Sequence, residues 1–77
     1  MKRIEVLGTG CSKCKKLYEL TEAAVREAGI EAELVKVEDI QKILSYGILM
    51  TPGLVVDGAV KCAGKLPTPA ELKTYLA

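Results

Sequence analysis

A strand-like run from Lys2 to Leu7, a helical pattern from Ser12 to Ala28 and a second strand-like run from Glu31 to Val37 follow one another with almost no loop between them. In the helical stretch Leu17, Leu20, Ala24, Val25 and Ala28 recur at the spacing of one helix face, and Gly29 is well placed as the C-terminal cap. Two strands joined through one helix in so short a length imply a parallel pair with a right-handed crossover, the helix lying on the sheet. Whatever sits between Leu7 and the helix is thereby delivered to one edge of the sheet.

What sits there is Gly8-Thr9-Gly10, a permissive turn, and then Cys11-Ser12-Lys13-Cys14. Unpaired N–H groups and the dipole at a helix N-terminus favour negative charge, so a thiol placed there ionises more readily than a free one with its pKa of about 8.5. The thiolate is the species that attacks disulfides. Positions i and i+3 lie one above the other on a helix, so a second sulfur at Cys14 can close a short ring with the first. Lys13, Lys15 and Lys16 crowd the same first turns, with no acidic residue before Glu19. The dipole alone favours Asp or Glu there; the lysines either form a solvated face or serve to stabilise a thiolate or attract an acidic partner.

The remaining elements follow from caps and turns. Asp39 can cap a short helix carrying Ile40, Ile43 and Leu44 and ended by Gly47. After Thr51-Pro52-Gly53, the runs Leu54–Val56 and Ala59–Ala63 flank Asp57-Gly58, a strong hairpin signal. Gly64 suits a bulge or left-handed turn. Thr68-Pro69-Ala70-Glu71 combines an N-cap, a proline at the first helical position and a capping-box glutamate, opening a helix that turns Leu72, Tyr75 and Leu76 inward. The predicted order is βαβαββα, one α/β domain over residues 1–77 with a four-stranded mixed sheet flanked by helices.

Composition narrows the chemistry. A chain of 77 residues forms one small core and has no room for a separate cofactor domain, so any reductant comes from outside. With 49% hydrophobic and 27% charged residues it reads as globular, and a net charge of +1 makes no electrostatic case for nucleic acid. The N-terminus runs straight into Ile4-Glu5-Val6-Leu7 without a signal-peptide pattern, and no segment approaches about 20 apolar residues, so a cytoplasmic protein without membrane contact, and a monomer, is expected. Three cysteines are too few for a disulfide framework, which favours a catalytic use in a reducing compartment.

Cys11 and Cys14 after the first strand, Thr51-Pro52 before the hairpin and Gly64 after the last strand together resemble the thioredoxin superfamily, in particular its small thioredoxin-like or glutaredoxin-like redox-active disulfide proteins. The resemblance covers essentially the whole chain. It implies a thioredoxin fold, a redox-active disulfide between Cys11 and Cys14 with no bound cofactor, and a cis Pro52 beside the cysteines. It also implies that the backbone of Thr51 pairs with an extended substrate segment. Protein disulfides would be the substrates and a thioredoxin reductase the electron donor. By its offset from the cysteines Glu5 matches a buried acid that serves proton transfer in thioredoxins. The chain departs from the usual Trp-Cys-Gly-Pro-Cys, and Gly64-Lys65-Leu66-Pro67 stands where many glutaredoxins carry a glutathione-binding stretch.

A soft-metal module for copper or zinc is the rival reading, because small copper chaperones also place Cys-x-x-Cys after a first strand. Against it, Thr9 stands where they have methionine, and the chain ends in a helix where they end in a strand. Three cysteines without histidine also fall short of a four-ligand zinc site. Cys62, expected to share a face with Val60 on a core strand, reads as a buried small hydrophobe. Tyr18, Tyr46 and Tyr75 read as core or rim packing.

Overall fold

The computed structural model describes residues 2–8 and 12–76. Its elements are β1 (Lys2–Leu7), α1 (Ser12–Ala28), β2 (Ala32–Val37), α2 (Ile40–Ser45), β3 (Gly53–Val56), β4 (Ala59–Ala63) and α3 (Pro69–Leu76), in the βαβαββα order expected. The strands form one mixed sheet in the order β2-β1-β3-β4. β1 runs parallel to β2, from Lys2 opposite Ala32 to Leu7 opposite Val37, and antiparallel to β3, from Ile4 opposite Val56 to Leu7 opposite Gly53.

Successive side chains of a strand point to opposite faces, and β1 shows what each face carries. Ile4 and Val6 join Leu54, Val56 and Cys62 in a core closed by Leu17 of α1 and by Leu72 and Leu76 of α3. Leu7 joins Val37 and Val55 in a second core closed by Ile43 of α2 and by Ile48. Two helices therefore cover one face and a single short helix covers the other. That short helix anchors through Ile43 alone: Ile40 and Leu44, read from sequence as its apolar complement, are 60% and 52% exposed. Six residues make fewer than two turns, which leaves room for one inward position.

The caps formed as the residue types require. The Asp39 carboxylate accepts a hydrogen bond from the Gln41 amide at 3.0 Å. At α3 the Thr68 amide donates to the Glu71 carboxylate at 2.9 Å and the Glu71 amide donates to the Thr68 hydroxyl at 3.2 Å, a reciprocal capping box. The Thr68 amide holds the Glu71 carboxyl below its ordinary pKa. The β3–β4 turn is built on Asp57 and Gly58, both at positive φ.

One expectation is corrected. Cys62 is buried, but it does not share a face with Val60: Leu54 pairs with Cys62 and Val55 with Val60, with a register shift between Leu54 and Val55. A bulge of this kind inserts an extra residue and reverses the alternation, so Cys62 turns into the core under α1 and α3 while Val60 lies on the α2 side, 39% exposed.

Candidate active site

The C-terminal end of β1, the start of α1 and the segment before β3 converge. α1 begins at Ser12 with no acidic residue in its first turn, and Cys14, its third residue, is buried at 5% exposure. Leu17 and Thr21, one and two turns on, are buried on the same side and hold this face of α1 against the sheet. Cys14 is not a free thiol. Cys11 lies outside the described residues, as do Thr9 and Gly10.

Gly8 permits the close approach of α1 to the strand. A Cβ at that position would stand 2.2 Å from the Cys14 Sγ, 2.9 Å from its Cβ and 3.9 Å from the Thr51 Cβ. The Gly8 amide donates to the Val37 carbonyl at 2.9 Å, which fixes this backbone in the parallel ladder. Cys14 and Thr51 thus meet around one glycine that reads, in sequence, only as part of a permissive turn.

The Thr51–Pro52 bond is cis, as the resemblance implied. Pro52 is fully buried while Thr51 is exposed, its Cβ near the same glycine as Cys14. Gly64, at a φ of 80°, donates its amide to the Pro52 carbonyl at 2.8 Å, which ties the end of β4 to the proline. It also lets Met50 lie across it, since a Cβ there would come within 3.0 Å of the Met50 Cβ. Met50 and its neighbour Leu49 are 65% and 91% exposed at this end.

Lys13, Lys15 and Lys16 are exposed on the first turns of α1. An open pocket of about 170 Å³ beside Cys14 is lined by Val6, Gly8, Lys15, Lys36 and Glu38. Lys36 and Glu38, from the end of β2 and the residue after it, are site residues that sequence reasoning missed. The parallel β1–β2 pairing, which sets Lys36 opposite Val6, was the signal that could have found Lys36.

Glu5 is buried at 4% exposure, yet it lies on the α2 side of the sheet, sharing the alternation of Leu7. Its carboxylate accepts a hydrogen bond from the Tyr46 hydroxyl just after α2 and has the Arg3 guanidinium 3.8 Å away. The pocket beside Cys14 opens on the other face, where Val6 and Lys36 project. The hydrogen bond to Glu5, helped by burial, raises the Tyr46 phenol above 10.0. A group whose folded pKa is raised contributes its stability below the unfolded value and loses it as pH climbs through the folded one. Tyr46→Phe should destabilise the fold by about 1 to 3 kcal/mol at neutral pH by stranding a buried carboxylate oxygen. Urea titrations at pH 7 and above pH 10 check this, with the difference between the proteins shrinking as the wild-type phenol ionises.

Among the described residues no group of three or more Cys, Asp or Glu side chains comes together to hold a metal ion. No described helix is long and apolar enough to cross a membrane.

A parallel βαβ unit joined to an antiparallel hairpin and closing helix, with a cysteine of the first helix set against a cis-proline loop, is a thioredoxin fold. A family model described as the thioredoxin domain matches residues 2–77. A protein named thioredoxin from Methanothermobacter thermautotrophicus is 39% identical over 77 residues, covering 100% of both chains. Another of that name from Methanocaldococcus jannaschii is 42% identical over 73 residues, 95% of this chain and 84% of its own. The chain belongs to the thioredoxin-domain family.

Proposed function

We propose that this protein is a thiol-disulfide oxidoreductase that reduces protein disulfides through Cys11 and Cys14. The observation that carries the reading is the meeting of Cys14 with Thr51 around Gly8, at the exposed end of a cis-proline loop. Cys11, which directly precedes α1 in the sequence, attacks as thiolate: a bond forms between its sulfur and one substrate sulfur, and the other leaves as a thiolate that takes up a proton. Cys14 then gives up its proton and attacks Cys11, releasing the second substrate thiol and leaving a Cys11–Cys14 disulfide. The Thr51 backbone holds the substrate segment extended, and Lys13 favours the thiolate. Two electrons from an external dithiol complete the cycle, and a thioredoxin reductase in the cytoplasm is the donor the family suggests.

The test supplies the protein with insulin and dithiothreitol, and separately with NADPH and a thioredoxin reductase. Insulin reduction well above the rate of dithiothreitol alone is expected, together with oxidation of NADPH in the coupled assay. Rates no higher than the reductant alone would overturn the reading.

A further inference from the structure

The lysines around the site form a pattern that the exchange reaction does not itself require. Among the described residues Lys2, Arg3, Arg26 and Lys65 are held in ion pairs with carboxylates, whereas Lys13, Lys15, Lys16 and Lys36 have none. Lys42, Lys61 and Lys73 are also unpaired, but they belong to α2, β4 and α3 and do not line the pocket at Cys14. Lys15 and Lys36 reach that pocket from two different elements. The Lys36 ammonium is steadied 4.8 Å above the centre of the Tyr18 ring, which holds it toward α1. Glu38 shares the pocket lining, Asp39 follows it as the cap of α2, and Glu19 lies one turn beyond Lys15 and Lys16 without pairing to either. The lining itself carries two cations against one carboxylate, a local excess of positive charge at the pocket.

We infer that the site selects disulfides flanked by carboxylates, a carboxylate arm entering the pocket between Lys15 and Lys36. The inference rests on the oxidoreductase reading and names the substrate class for it. Glu38 works against the two lysines there, so the selection has one carboxylate that opposes it.

The test uses the fully reduced protein and three small aliphatic disulfides as probes: anionic 3,3′-dithiodipropionate, neutral bis(2-hydroxyethyl) disulfide and cationic cystamine. Each second-order rate is divided by that of the same disulfide with dithiothreitol, which removes intrinsic reactivity. The thiolate fraction of the protein cancels in the ratio between probes. At low ionic strength the anionic probe should be preferred over the cationic one by about tenfold or more. In 1 M salt, where the screening length is about 3 Å, the preference should largely vanish. Lys15→Gln and Lys36→Gln should each lower the ratio about threefold, and Glu38→Gln should raise it. A wild-type ratio near one at low salt, or a ratio unmoved by all three substitutions, would overturn the inference while leaving the function intact. Failure to react with the neutral probe would overturn the oxidoreductase reading and the selection with it.

Discussion

Cys14→Ser should accumulate a covalent mixed disulfide with its substrate through Cys11, and Cys11→Ser should accumulate none. The two cysteines are equivalent as residue types, and their surroundings divide the work. Cys14 is buried at 5% exposure against the backbone of Gly8. Cys11 directly precedes Ser12 in the sequence, and the start of a helix is where unpaired amides favour a thiolate. The proposed mechanism accordingly assigns attack to Cys11 and resolution to Cys14. Turnover should fall to background in both variants, and intact-protein mass spectrometry after incubation with a disulfide substrate separates them. Equal trapping by both would refute the division of roles.

Gly8→Ala should slow disulfide reduction at least tenfold and destabilise the fold by about 1 to 3 kcal/mol or more. A methyl carbon 2.2 Å from the Cys14 Sγ is far inside the 3.5 to 4.0 Å of ordinary carbon contact, so one partner has to move. The Gly8 backbone is pinned by its bond to Val37, which leaves the start of α1 to shift and carries Cys14 away from Thr51. Urea titration and insulin turnover of the variant check both effects. Adding Cys14→Ala should recover part of the lost stability but none of the activity, because it removes the sulfur that clashes. Stability changes that simply add would show that the two residues do not share the contact.

Much of this architecture was legible because its signals are local. The 3.6-residue spacing of Leu17, Leu20 and Ala24, the Thr68–Glu71 capping box and the Asp57-Gly58 turn each lie within a few residues of the structure they specify. The cis bond at Pro52 was reached by family likeness, since nothing in Thr51-Pro52 itself separates cis from trans. Tyr46 and Glu5 stand 41 positions apart, and their hydrogen bond exists only because α2 folds back over β1. Glu5 matches a buried acid of thioredoxins by its offset in the family likeness, and an offset does not show its partners, here the Tyr46 hydroxyl and the Arg3 guanidinium. Lys36 and Glu38 escaped notice because the pocket they line is made by the parallel register of β1 and β2, which joins residues about thirty positions apart. The bulge in β4 escaped because Ala59–Ala63 alternates no differently from a regular strand.

That bulge decides how many sulfurs answer to the outside world. With regular alternation Val60 and Cys62 would go in or out together, and the open α2 side of the sheet would gain either a thiol or a gap. One extra residue uncouples them, and Cys62 is sealed beneath α1 and α3 with burial raising its pKa. Neither exposed nor readily ionised, it is a poor competitor for the disulfide that the proposed mechanism has Cys14 resolve. In that cycle the third cysteine stays out of the exchange, and the device that keeps it so is a single misfit in the hydrogen-bond ladder of an edge strand.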